Sequence, residues 1–219
     1  MNRSAFSRLR ALSPWPTLFL CLCLCLFLLL WLQVARANAA EPPAQSLVRT
    51  TADSFLARMR ADAAANAADP QQIIASAESL ILPHFDFELM SRRALGRYWR
   101  DFSVEQRARF VQGFRTLMLR TYANTLNDYR DAKIAYLPAR QLAPEATRVR
   151  TEVARASGGA PVQIDYEVRQ QAAGWKICDV ALNGVSLIIS YRAGFAKDIG
   201  TLGVEGVIEQ LAERNQRPL

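Results

Sequence analysis

Between residues 85 and 129 the apolar positions fall into two helical patterns joined by a short elbow, Gly96-Arg97-Tyr98-Trp99-Arg100-Asp101-Phe102-Ser103. In the first pattern Phe87, Met90, Ala94 and Tyr98 share one face, and Asp86 is placed to cap the helix. In the second, Phe110, Phe114, Leu117 and Thr121 recur at steps of four, three and four, while Val111, Met118, Tyr122, Leu126 and Tyr129 widen the stripe. Ser103 and Gln106 stand at the reciprocal positions of a capping box, which gives this helix a defined start. Five of the chain's ten Phe and three of its six Tyr lie in this stretch, so it belongs to a large apolar interior. A stripe this broad suits either the wall of a lipid-sized cavity or a closely packed core helix.

Upstream, a disordered lead-in is expected at 41–45, followed by an amphipathic helix with Val48, Ala52, Phe55 and Met59 on its apolar face. Asp69 and Pro70 form the cap and first-turn proline of a second helix, with Ile73, Ile74, Ala77, Leu80 and Ile81 inward and Pro83 as its stop. After Tyr129 the period changes from helical to alternating. Residues 133–137 read as a strand and 138–146, with two prolines, as a loop. Val149, Thr151 and Val153 then alternate with Arg148, Arg150 and Glu152, and past a Ser157-Gly158-Gly159 turn Val162, Ile164, Tyr166 and Val168 alternate with Gln163, Asp165, Glu167 and Arg169. In the last strand, 175–182, alternation puts Trp175 and Ile177 on one side and Cys178, Val180 and Leu182 on the other. Asn183-Gly184 breaks it, and 185–199 and 204–214 read as closing helices separated by Gly200 and Gly203. The pattern predicts an α+β domain, with N-terminal helices packed on an antiparallel four-stranded meander and C-terminal helices closing it.

The N-terminus follows a different logic. Arg3, Arg8 and Arg10 precede an apolar run over 18–32, and Ala35-Arg36-Ala37 and Ala37-Asn38-Ala39 are small-x-small sites. This is the order of a cleaved secretory signal peptide over 1–39, leaving one domain over 40–219 in the periplasm. The alternative is an inner-membrane anchor, because the run is nearly long enough to span a bilayer. Cys21, Cys23 and Cys25 lie inside the run, so the processed chain keeps only Cys178, expected as a buried, unpaired thiol. Processing also changes the charge. The formal +7 drops to +3 once Arg3, Arg8, Arg10 and Arg36 are gone, leaving 23 basic against 20 acidic residues, which is no argument for nucleic acid.

Most site chemistries are excluded by composition. One His rules out a multi-His metal site, and one remaining Cys rules out Cys-paired zinc. Neither dinucleotide nor P-loop glycine spacing occurs, and Gly184-Val185-Ser186-Leu187-Ile188 lacks the closing glycine of a nucleophile elbow, so Ser186 reads as a helix cap. One catalytic reading survives: Asp179, on the side of Trp175 and Ile177, as the general base of a steroid-isomerase-like pocket. Arg92, Arg93, Arg97, Arg100, Arg107 and Arg109 crowd the elbow. They form either a docking face for an acidic partner or anionic headgroups, or a solvated helix face.

The runs LILPHFDFELMSRRALGRYW, SVEQRARFVQGFRTLMLRTYANTL, GWKICDVALNGVSLIISYRAGFAKDI and GVEGVIEQL together resemble the MlaC family of periplasmic phospholipid-shuttle proteins, also called toluene-tolerance proteins, over roughly 46–214. The resemblance implies a non-enzymatic monomeric carrier without cofactor or metal. Its fold would be similar to the nuclear-transport-factor type, with an internal apolar cavity. It also implies exchange of phospholipid between an outer-membrane lipoprotein–porin complex and an inner-membrane ABC transporter, which maintains outer-membrane asymmetry; hopanoid-associated relatives make hopanoid-type lipids an alternative cargo. The expected cavity walls are Met90, Tyr98, Phe110, Phe114, Leu117 and Tyr122 from the helices, Ile164, Tyr166, Trp175 and Val180 from the sheet, and Val185 and Ile188 at the closing helix. Arg92, Arg93 and Arg97 are the expected docking residues. Two acyl chains with about thirty methylenes, at ~0.8 kcal/mol each, would cost about 25 kcal/mol to expose to water, which is why such a cargo needs a carrier.

Overall fold

The computed structural model describes residues 41–64 and 70–217, of which those from Pro42 onward belong to one compact unit, Pro42–Leu219. The expected signal segment therefore lies outside the described residues, and among these no helix is long and apolar enough to cross a membrane. Helix α1, Pro43–Ala64, begins earlier than its composition suggests. Proline fits the first helical turn because its missing N–H would have no partner there, and the amides of Gln45 and Ser46 donate to the Pro42 carbonyl at 2.8 and 3.0 Å. Ala44 and Val48 are buried against the sheet, so packing makes the expected lead-in helical.

Helix α2, Pro70–Leu80, is followed by a 3-10 turn, Leu82–His84, that contains Pro83. The cap expected at Asp69 lies outside the described residues. Helix α3, Phe87–Leu95, is capped by Asp86, whose Oδ1 accepts from the Leu89 amide at 2.8 Å. The elbow is a 3-10 helix, Gly96–Asp101. Helix α4, Val104–Asp128, opens with both capping-box bonds in place: the Ser103 amide donates to Gln106 Oε1 at 2.9 Å, and the Gln106 amide to Ser103 Oγ at 3.1 Å.

Five antiparallel strands follow in simple order: β1 Lys133–Ala143, β2 Ala146–Ala154, β3 Val162–Gln171, β4 Gly174–Leu182 and the two-residue β5 Val185–Ser186. Strand β1 continues through Pro138, which the sequence placed in a loop. It is an edge strand with a register break between Leu137 and Arg140, where a missing N–H costs no ladder bond. The fifth strand takes residues expected to start a helix, and α5, Leu187–Ser190, begins after it with Ser186 Oγ accepting from the Ile189 amide at 3.0 Å. Helix α6 is Arg192–Gln216, broken at Gly203 by a φ of +71°.

Strand β4 corrects the expected alternation. Glu167 pairs with Asp179 and Val168 with Ile177, so Cys178 is the extra residue of a β-bulge. The bulge resets the period: Trp175, Ile177, Val180 and Leu182 all join the face that packs under α1, and Asp179 turns to the opposite one. The same irregularity lets the Asp86 amide donate to the Ile177 carbonyl at 2.9 Å, so the segment before α3 covers the stretch of β4 edge that β5 leaves unpaired.

Two kinds of interior result. Among the helices α3, α4, α5 and α6, Met90, Phe110, Phe114 and Ile188 are fully buried with Phe195 and Leu211 close behind, and the rings of Phe110 and Phe195 meet edge to face at 5.1 Å. Helices α4 and α6 cross at Gly113, where a Cβ would lie 2.8 Å from Leu211 Cδ2. Between α1 and the sheet, by contrast, Ala44 and Val48 close on Val149, Val168 and Ile177 at one end only.

Candidate functional site: an apolar cavity beneath the first helix

Beyond that closed end, α1 stands off the sheet and leaves a cavity of about 210 Å³. Val48, Thr51, Ala52, Phe55 and Leu56 line it from α1, because helical periodicity brings these five to one side over more than two turns. Ile134, Val153, Val162, Ile164, Tyr166, Ile177 and Leu182 line it from the sheet, and Leu126, Tyr129 and Ala132 from the end of α4 and the turn after it. Burial grades from Val48 and Ile177 at the floor, 3% and 2% exposed, to exposed Thr125 at the far end, so the cavity opens beside the last turn of α4 and the β2–β3 hairpin.

No carboxylate, imidazole, amine or thiol lines the void among the described residues. Its polar atoms belong to Thr51, Thr125, Tyr129 and Tyr166. Burial pushes the Tyr166 phenol up to about 12, against a smaller opposing effect of its hydrogen bond with Thr151, so it stays neutral. The hydroxyl of Thr51 is buried and has no hydrogen-bond partner among the described residues. Such a space can shelter hydrocarbon and offers nothing for acid–base or nucleophilic chemistry.

The residues the sequence singled out divide cleanly. Ile164 and Tyr166 stand on the cavity wall. Met90, Phe110, Phe114 and Ile188 lie instead in the filled helical core, with Leu117 and Tyr122 packed against it. Trp175 and Val180 pack in the sheet-face cluster beside the cavity floor. Tyr98 receives a hydrogen bond from Arg97 at 2.9 Å, and Val185 is 63% exposed at the β4–β5 turn. The wall residues that were missed had a signal: Val162 shares the face of Ile164 and Tyr166, and Ala52 and Phe55 already belonged to the α1 stripe.

On the outer face of the sheet sits a polar network. Arg93 donates to Glu167 at 2.7 Å and to the Cys178 carbonyl at 3.4 Å, and Arg169 donates to Glu167 at 2.9 Å. Burial works to raise the Glu167 carboxyl, but the two guanidinium groups outweigh it and hold the group below its ordinary value. Arg93 is thereby a half-buried tie between α3 and the sheet, whereas Arg92 and Arg97 are exposed. Asp179, brought to this face by the bulge, accepts from Ser186 Oγ at 2.8 Å, and burial raises its carboxyl. It is thus remote from the apolar face on which the base reading placed it. Cys178 is a free, buried thiol pushed up to about 12 by burial, its Sγ 3.3 Å from the Glu167 carbonyl.

Helices gathered against one antiparallel meander, with an apolar void held between them, define an α+β pocket protein. The family model described as MlaC protein matches residues 49–213, and the chain belongs to that family. It is 24% identical over 189 residues to the intermembrane phospholipid transport system binding protein MlaC of Haemophilus influenzae, covering 85% of this chain and 88% of that one. It is 24% identical over 159 residues to the toluene tolerance protein ttg2D of Pseudomonas putida, 72% of this chain and 73% of the other. A phospholipid-binding protein from Ralstonia solanacearum, solved in complex with a phospholipid, has the same fold with a TM-score of 0.72 and 34% identity, over 80% of this chain and 97% of that one.

Proposed function

We propose that this protein is a phospholipid carrier that holds acyl chain in the cavity beneath α1 and exchanges it between membranes. The observation that carries this reading is the apolar void of about 210 Å³, in a chain that shares its fold with a protein solved with phospholipid bound. Ile164 and Tyr166, with Ala52, Phe55, Leu126 and Leu182, make the hydrocarbon contacts. The protein acts as a carrier rather than an enzyme: the cavity wall carries no carboxylate, imidazole, amine or thiol among the described residues, and the Haemophilus influenzae relative is named for binding and transport. Its site of action is the periplasm, reached through removal of residues 1–39, and its partners are an inner-membrane ABC transporter and an outer-membrane lipoprotein–porin complex. Exposed Arg92 and Arg97, rather than the internally tied Arg93, are available for docking to them.

Native mass spectrometry of the purified protein, followed by organic extraction, tests the reading. Phospholipid should appear bound at up to one molecule per chain, and extraction should release it. Protein that comes from the cell empty, and stays empty after incubation with phospholipid vesicles, would refute it. A hopanoid in the extract would replace the cargo and leave the carrier role standing.

A further inference from the structure

The open end of the cavity is basic, and one of its cations is oriented. Arg155 follows β2 by one residue, on the same inward side as Val153, so it continues the wall about 7 Å further along. Its guanidinium carbon lies 5.7 Å from the ring centroid of Tyr129, which itself lines the cavity. The turn that begins there, with the Gly158 amide donating to the Arg155 carbonyl at 3.1 Å, fixes its backbone. No carboxylate contacts Arg155 among the described residues. Arg60, whose Nη2 donates to the Ala132 carbonyl at 3.4 Å, stands at the same rim, beside the cavity-lining Ala132. The charge of Asp131 is shared by Arg60 at 3.9 Å and Arg130 at 3.3 Å.

We propose that Arg155, held over Tyr129 at the cavity rim, is a phosphate clamp, and that the protein thereby selects phosphate-bearing lipids over neutral lipids with the same tails. The proposal rests on the carrier reading and names the headgroup chemistry of the same site. A phosphodiester cannot follow acyl chains into an apolar void, because an unpaired buried charge is prohibitively costly, so it must rest where the wall ends. There it meets a planar guanidinium that suits two phosphate oxygens at once and is pre-oriented by the ring beneath it. Arg60 adds attraction of the same sign.

The test loads the emptied protein from vesicles containing equal amounts of dioleoyl phosphatidylglycerol and dioleoylglycerol, and counts each by mass spectrometry. The wild type should favour the phospholipid by about ten-fold or more. Arg155→Gln should lose most of that preference with dioleoylglycerol loading unchanged, and Arg155→Lys should recover part of it. Unchanged dioleoylglycerol loading shows that the cavity and fold are intact. A wild type that loads both lipids equally, or an Arg155→Gln protein that keeps the preference, overturns the clamp and leaves the carrier standing. A wild type that loads neither overturns the carrier reading and the clamp with it. Inorganic phosphate should not compete; if it displaces phospholipid and binds the empty protein through Arg155, the site is one for free phosphate and the lipid assignment fails.

Discussion

Ala52→Phe should make the empty protein more stable and its hold on lipid weaker. Ala52 lies on α1, half-buried, with its methyl on the cavity wall, so the substitution removes no packed side chain. The void of about 210 Å³ corresponds to about seven groups the size of a water or a methylene, taking ~30 Å³ for each. A phenyl ring adds six carbons, nearly the whole of that space. Burying the ring contributes about 1.5–3 kcal/mol, offset by ~0.5 kcal/mol of lower helix propensity, for a net gain of about 1–2.5 kcal/mol. For a domain of this size that raises Tm by about 2–10 °C.

The ring also takes the place of about seven methylenes of cargo, worth ~0.8 kcal/mol each, so about 6 kcal/mol of lipid binding is lost. The assay compares lipid content by mass spectrometry with Tm of delipidated wild type and variant, because bound lipid itself raises Tm. The two readouts must move in opposite directions. A purely structural position would lower both, and a surface position would move neither. An Ala52→Phe protein with a full complement of lipid and an unchanged Tm would show that the void beneath α1 does not hold the acyl chain.

Other consequences follow from the packing and the charges. Gly113→Ala should lower Tm although alanine is the better helix former, because its Cβ would meet Leu211 at 2.8 Å; Leu211→Ala in the same chain should compensate in part. Cys178 should react negligibly with a disulfide reagent in the native protein and at once in denaturant, since burial both covers the thiol and raises it to about 12. Asp179→Asn keeps an acceptor for Ser186 and removes a carboxylate whose folded-state pKa is raised by burial. A raised acid pKa means the folded state binds the proton more tightly, so the cost is fully present above the folded pKa and fades as pH falls below it. Urea unfolding should therefore show a gain for Asp179→Asn near pH 7 that shrinks toward pH 4. Glu167 has the opposite sign. Its contribution through Arg93 and Arg169 is present above the unfolded carboxyl value and lost as acid protonates it, so Arg93→Ala should destabilise near pH 7 and progressively less in acid.

What could be read from the sequence was what neighbours in sequence decide. The caps at Asp86, Ser103 and Ser186 use side chains three residues from the amides they satisfy, and all three formed as spaced. The strands β2 and β3 alternate as written because no residue interrupts their ladder. The cavity was harder to locate. The stripe on α4 shows that Phe110 and Phe114 are covered, but what covers them, Phe195 and Tyr191, comes some eighty residues later, and it fills the space completely. A one-residue bulge at Cys178 is invisible to a period count, and it alone transfers Asp179 from the apolar face to the polar one. Val185 is expected on the cavity wall at the start of the closing helix, whereas a two-residue edge strand leaves it in solvent.

The size of the void bears on how a larger cargo is housed. Room for about seven methylenes is the end of one acyl chain, and a phospholipid carries about thirty. A wall must yield, and the walls are not equal. The sheet is tied strand to strand by its ladder, and α4 and α6 are in close contact where Gly113 meets Leu211. Helix α1 meets the sheet firmly only at Ala44 and Val48, while Thr51, Ala52, Phe55 and Leu56 face the void. It also carries the buried, unpartnered hydroxyl of Thr51, which by itself costs about 1–3 kcal/mol. Held to the sheet only over its first two turns, α1 is the element that can separate from it, moving together with α2, whose Ile73 and Ala77 pack on Phe55 and Met59. Tying α1 to β3 through cysteines at Ala52 and Ile164, joined across the void by a reducible bifunctional thiol reagent, should then block uptake of lipid until the bridge is reduced. Vesicle loading with and without reductant reads this directly. Equal loading by the bridged and reduced protein would show that the cavity enlarges somewhere other than at α1.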